Sequence, residues 1–195
     1  MKIRKARVED AEKATELIWT AIEQCANAFA GSNDPAKISK RLQELFKVSY
    51  NRMSYEICTV VEDKDKVIGA MITYPGCEMK ELDKKIIERL KIEHPKGTPG
   101  YEEFVIPVIE AKETFDDEYY IDSLAVDKEY QGKKIGTHLI KYAEEMAREK
   151  NYDKLAILAE ENNNRACSLY RYLGFKDDCI LVIGGHSYNH LVKKI

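Results

Sequence analysis

Three features of the 195-residue sequence predict an α/β fold built on a mixed sheet. The last third alternates strand-like and helix-like segments, which implies a βαβ crossover and a sheet that is at least partly parallel. Residues 56–74, EICTVVEDKDKVIGAMITY, read as two apolar runs around a charged turn, an antiparallel hairpin. Residues 11–46 carry apolar side chains at helical spacing, on stretches long enough to cover a sheet face.

Taken in order, Ile3–Arg7 reads as a short strand. Val8-Glu9-Asp10 opens a helix, with Ala11, Ala14, Leu17, Ile18, Ala21 and Ile22 on one face. Gly31-Ser32-Asn33-Asp34-Pro35 ends it and starts the next helix, with Asp34 as N-cap and Pro35 at the first helical position. Ile38, Leu42, Leu45 and Phe46 form the buried face of that second helix. The hairpin turns at Glu62–Asp65 and stops at Pro75-Gly76. Leu82, Ile86, Ile87 and Leu90 predict a helix over Glu81–Glu93, and HPKGTPGYEEF a loop. Cys77 to about Phe115 reads as an insertion between two strands of a single domain, residues 1–195. EYYIDSLAV is the next strand, Lys134–Glu149 a helix, KLAILAE a strand, and Asn163–Leu173 a helix stopped by Gly174. The chain closes with two strands around Gly184-Gly185.

Composition narrows the function classes. A hydrophobic fraction of 44% and a charged fraction of 33% suit a globular protein with a core. The formal net charge of −3 argues against a nucleic-acid partner. No apolar run approaches the ~20 residues of a membrane span, and MKIRKARVEDAEK lacks an apolar signal core. The expected location is the cytoplasm, with the five cysteines as reduced thiols, mostly small buried hydrophobes.

The stretch Tyr130–Ile140, YQGKKIGTHLI, puts two glycines and two lysines at the mouth of an amphipathic helix. The first amides of a helix have no partner inside it, and its N-terminus carries partial positive charge. Gly132 and Gly136 leave those amides accessible, and Lys133 and Lys134 add charge, so a pyrophosphate could sit there. An ordinary turn with solvated lysines accounts for the stretch equally well. Upstream, the apolar series of Tyr119-Tyr120-Ile121-Asp122-Ser123-Leu124-Ala125-Val126 changes parity across Asp122-Ser123. One extra residue there, a β-bulge, would return Tyr119, Ile121, Leu124 and Val126 to one face and free backbone groups for a thin, amide-bearing ligand. The alternative is a sheet buried on both faces.

IDSLAVDKEYQGKKIGTHLI followed by ENNNRACSLYRYLGF resembles the GNAT superfamily of acyl-CoA-dependent N-acetyltransferases. The family's Q/R-x-x-G-x-G/A signature reads here Gln131-Gly132-Lys133-Lys134-Ile135-Gly136, with lysine where the first motif glycine is usual. Its N-x-x-A-x-x-L-Y-x-x-x-G-F pattern is complete in Asn163, Ala166, Leu169, Tyr170, Gly174 and Phe175. The resemblance implies a GNAT-like fold, a central mixed sheet of six or seven strands flanked by helices, and the use of acetyl-CoA without a metal. It further implies that Leu124, Ala125 and Val126 present backbone groups to the pantetheine arm and the acyl carbonyl. Gln131, Gly132, Lys133, Lys134, Ile135, Gly136 and Thr137 would bind the pyrophosphate, and Asn163 the cofactor's arm. Tyr170 would protonate the departing thiolate; its spacing from Cys167 and Leu173 also fits plain packing against the sheet.

The attacking amine must be neutral. Glu118, Asp122 and Tyr120 share strand parity near the expected acyl site, so each is a candidate to relay its proton, Glu118 first. Asp116-Asp117-Glu118 would equally attract a cation. His186 and His190 are four apart but read as strand, about 13 Å from each other, which rejects a shared metal. The implied reaction is acetyl transfer from acetyl-CoA to a primary amine, on a small molecule or a peptide, by direct attack in a ternary complex. A catalytically silent acyl-CoA-binding module and cysteine-dependent acyl transfer through Cys167 are the alternatives. A homodimer paired through the C-terminal strands is also open.

Overall fold

A computed structural model describes residues 1–195, the Gln24 side chain excepted. Seven strands form one sheet: β1 (Lys2–Lys5), β2 (Cys58–Asp63), β3 (Lys66–Pro75), β4 (Tyr119–Val126), β5 (Lys154–Glu160), β6 (Lys176–Ile183) and β7 (His186–Lys194). Their order is β1-β2-β3-β4-β5-β7-β6. β4 and β5 run parallel, and every other neighbouring pair is antiparallel. The parallel pair is the crossover read from the last third of the sequence. The β2–β3 turn is as tight as its charges suggested, with Lys64 and Asp65 both at positive φ.

Six α-helices cover the two faces: α1 (Ala11–Ala30), α2 (Pro35–Phe46), α3 (Met79–Glu93), α4 (Ile106–Glu110), α5 (Ile135–Glu149) and α6 (Asn164–Tyr172). On α2, the Asp34 side chain accepts from the Ala36 N–H at 2.9 Å, and Pro35 occupies the first turn, as its sequence predicts. Gly174, at φ 95°, follows α6 as a left-handed stop. Where a loop was expected, Tyr101–Val105 forms a π-helical turn that leads into α4. Phe104, Val105 and Val108 are buried there, so apolar burial overrides the flanking glycines and prolines.

The sheet separates two cores. One packs α1, α2 and the β3–β4 segment through Leu17, Ile18, Phe29, Leu42, Phe46, Leu82, Leu90 and Tyr120. The other packs α5 and α6 through Ile121, Ile135, Leu139, Ala143, Ile157, Cys167 and Tyr170. Of the cysteines, Cys58 and Cys167 are buried, whereas Cys77 and Cys179 are exposed, against the expectation of general burial. No helix among the described residues is long and apolar enough to cross a membrane.

The bulge is present. Ile72 pairs with Ser123 and Thr73 with Ile121, so Asp122 is the extra residue on β4. Tyr119 and Ile121 belong to the α5 core, with Leu124 and Val126 packed against it, while Tyr120 and Ala125 belong to the other. This is the restored parity that the apolar series required. β4 pairs with β5 only from Tyr119↔Leu155 to Ile121↔Ile157. Beyond the bulge the two strands part.

Candidate active site

The opening between β4 and β5 leads into a cavity of about 350 Å³. Its walls include Asp122, Ser123 and Leu124 from the bulge, Leu158–Glu160 from β5, Asn163, Ala166 and Tyr170 around α6, and Arg52, Glu113 and Tyr120. α1 lines another wall, where Glu23 (φ 13°, ψ −77°) breaks the helix. The volume is that of a small-molecule site.

The structure thus brings together Leu124, Asn163 and Tyr170 from the sequence-predicted set, along with Asp122 and Tyr120, two of the three proton-relay candidates. Tyr170 is 8% exposed, and burial pushes its hydroxyl up to about 12. It therefore holds its proton at neutral pH. Asn163 caps α6, its Oδ1 accepting from the Ala166 N–H at 3.1 Å. Only its amide nitrogen is left to reach a ligand.

The glycine-lysine stretch lies on the neighbouring surface, at the start of α5. Its helix begins at Ile135, and Lys134 is the N-cap in the left-handed region at φ 62°. That conformation explains why glycine is usual there. His138 N–H is the first to find an acceptor, Lys134 O at 3.1 Å. Among the described residues, the amides of Gly132, Lys133, Lys134, Ile135, Gly136 and Thr137 have no backbone acceptor. A Cβ on Gly136 would sit 3.6 Å from Leu124 and 4.0 Å from Val126, so its absence keeps the start of α5 open toward the freed part of β4. Gln131 is placed as a brace, its amide donating to Val126 O at 3.2 Å and its oxygen accepting from Arg165. Lys133 lies over the Tyr130 ring. A diphosphate fits this cradle on physical grounds: donors without acceptors, a helix terminus and two cations.

Glu118 is not where the sequence reading put it. It is 3% exposed and lies outside the cavity, at the opposite end of β4 from the bulge. Its Oε2 accepts from Thr114 Oγ1 and Phe115 N–H, both at 2.8 Å, and lies 3.1 Å from His190 Nε2. Parity gives a residue's face but not its position along the strand, and Glu118 is four residues away from Asp122. A carboxylate so bonded organises the loop before β4, and the hollow it borders, with Asp117, Lys154 and Asp178, is not the one that holds Tyr170. His186 and His190 both lie on β7, as strand spacing required. One donor atom each of Asp178, Cys179 and His190 lies within 4.8 Å of the others, and both ring nitrogens of His190 face carboxylates, Glu118 and Asp178.

Two of the proton-relay candidates, Asp122 and Tyr120, belong to a charge cluster at the base of the cavity, whose other members, Arg52, Asp83 and Glu113, the sequence reading missed. Arg52 is 2% exposed and faces three carboxylates. Its Nε lies 2.6 Å from Asp122 Oδ2, its Nη1 3.6 Å from Asp83 Oδ2, and its Nη2 bonds Glu113. Tyr74 donates to Asp122, and Tyr120 to Glu113 at 3.2 Å. Arg52 also stacks over Phe29, 5.2 Å from the ring centroid. Burial pushes Glu113 above the usual carboxylate range despite Arg52, and lifts Asp83 to about 6. Arg52 Nη1 and Asp83 Oδ1 are buried without hydrogen-bond partners. The one available signal was compositional: an acidic residue, Asp122, inside a mostly apolar strand, with Glu113 shortly before it.

Comparison with known proteins agrees with this geometry. The model of the acetyltransferase (GNAT) family matches residues 26–175. A solved N-acetyltransferase from Staphylococcus aureus Mu50 is 25% identical, with a TM-score of 0.80 over 98% of this chain and 100% of that one. A second solved acetyltransferase is 25% identical with a TM-score of 0.77, covering both chains completely. N-alpha-acetyltransferase 30 of Xenopus laevis is 44% identical over 59 residues, which span 30% of this chain and 22% of that protein. With the family pattern matched over most of its length and set on this fold, the chain belongs to the acetyltransferase (GNAT) family, a family of acyltransferases.

Proposed function

We propose that this protein transfers an acetyl group from acetyl-CoA to a primary amine by direct attack within a ternary complex. The observation that carries the reading is the parting of β4 and β5 at the Asp122 bulge, with Tyr170 in the cavity it opens and unpartnered amides beside it at the start of α5. Bound acetyl-CoA would supply the activated acyl group. The amides of Gly132–Thr137, helped by Lys133 and Lys134, hold the diphosphate. Leu124, Ala125 and Val126 offer the arm an unpaired strand edge, and the Asn163 amide orients it.

On the acceptor side, the excess of carboxylates over Arg52 draws in an ammonium ion. Glu113, raised by burial, accepts the proton that makes the amine nucleophilic, through the Tyr120 hydroxyl 3.2 Å away. The C–N bond forms, the C–S bond breaks, Tyr170 gives its proton to the sulfur, and the second proton shed by the acylated nitrogen returns to the Tyr170 oxygen. Juxtaposition of the two reactants within one cavity does most of the work.

Thiol release measured over a panel of primary amines tests the reading. Tyr170→Phe should slow turnover by roughly 10²-fold while leaving the acetyl-CoA dissociation constant within about threefold. Unchanged turnover removes Tyr170 from the reaction. Acetyl-CoA binding without CoA release for any amine would favour a silent binding module.

A further inference from the structure

A second groove, of about 240 Å³, adjoins the cavity and shares Arg52, Glu113, Phe29 and Tyr188 with it. Its far wall is apolar, Phe104, Pro107, Val108 and Ala111 from the β3–β4 segment, and Ile183 of the C-terminal hairpin borders both spaces. Phe104 and Val108 are buried and belong to the core, so this surface is fixed rather than improvised. At the outer rim Asn27 donates to Asn33 and Asn33 to Glu103, and the C-terminal hairpin adds His186 and Tyr188. At the inner end Arg52 and Glu113 line the groove, and Asp122 and Asp83 bond or face the same guanidinium from behind it. The groove therefore meets the Arg52–Glu113 ion pair at its depth and offers an apolar wall along the β3–β4 segment.

We infer that the acceptor is a monoamine with an apolar body, aryl or alkyl, whose ammonium enters first. This rests on the acetyl-transfer reading above. The amine reaches Glu113, where both spaces meet, and the body lies against Phe104, Pro107 and Val108. A second ammonium in mid-chain would be stripped of water against those walls with no partner, so the same groove discriminates against short diamines. The coenzyme arm does not account for this surface, because on the reading above it lies along β4, which lines the cavity and not the groove.

The test compares phenethylamine, hexylamine, ethylamine and putrescine by CoA release, with acetyl-CoA saturating. Burying the body should raise kcat/KM for phenethylamine and hexylamine about 10- to 100-fold over ethylamine, with putrescine no better than ethylamine. Ala111→Phe, at a half-buried wall position, should bring the phenethylamine-to-ethylamine ratio close to one, and Ala28→Leu on the facing α1 wall should lower it in the same direction. Melting-temperature shifts with acetyl-CoA show that each variant is folded. Equal kcat/KM across the four amines, or a preference for putrescine, overturns the acceptor assignment alone. No CoA release with these four but release with other amines of the panel overturns the assignment alone, whereas no release with any amine overturns the acetyl-transfer reading and the assignment with it.

Discussion

At the residue scale, Glu113 decides the acid side of the reaction. A base must be ionised to accept a proton, so activity falls as pH drops through its folded pKa. Burial raises that value above the 4.5 of an ordinary glutamate, with Arg52 opposing. The kcat/KM profile should therefore lose activity on the acid side at a pH above 4.5, and Glu113→Gln should remove that limb and lower the rate at pH 8 by ~10²-fold or more. A profile unaltered by the substitution would assign the proton to another group. Little of this was legible in advance. Arg52 meets Glu113 and Asp122 across 61 and 70 residues of chain, a separation no local pattern encodes. Glu118 illustrates the converse. Its parity and charge suggested a base, yet Thr114, the Phe115 amide and His190 enclose it.

At the element scale, the start of α5 and the bulge in β4 build the site. Both were readable because each leaves a local signature. The bulge shifts an alternating apolar series by one residue, and only an extra residue restores it. The helix mouth couples two glycines to an amphipathic run. What spacing did not reveal is the left-handed Lys134 at the N-cap. A side chain there costs ~1–2 kcal/mol, and glycine gives back ~0.5–1 kcal/mol of that through its floppier unfolded chain. Lys134→Gly should thus raise the unfolding free energy by ~0.5–1 kcal/mol in urea melts, at the loss of one charge beside the diphosphate cradle. A lower unfolding free energy would mean that the lysine's contacts outweigh its backbone strain. The π-helical turn before α4 was hidden by its glycines and prolines, although Phe104, Val105 and Val108 supply the reason for it.

Across the whole molecule, one sheet holds two cores, and the charge cluster is set into the one beneath α1 and α2, beside Phe29, Tyr74 and Tyr120, which has a cost. Asp83 is 2% exposed, and burial lifts it from 3.8 to about 6 against the pull of Arg52. The sign follows from linkage. A carboxyl whose folded pKa is raised adds stability below its unfolded value and loses it as pH rises through the folded one. Unfolding free energy should therefore decline between about pH 4 and pH 6, with Asp83 accounting for ~3 kcal/mol at the upper limit. Asp83→Asn should flatten that part of the curve; an identical curve would show that Asp83 is held ionised by Arg52 throughout.

The central claim is that freed backbone groups on β4 and at the start of α5 hold acetyl-CoA. Hydrogen–deuterium exchange on the intact protein, with and without saturating acetyl-CoA, addresses those groups directly. The account predicts slower exchange at Gly132–Thr137 and Leu124–Val126, with β1 and β2 unchanged. Binding that leaves these two segments exchanging at their unliganded rates would contradict it.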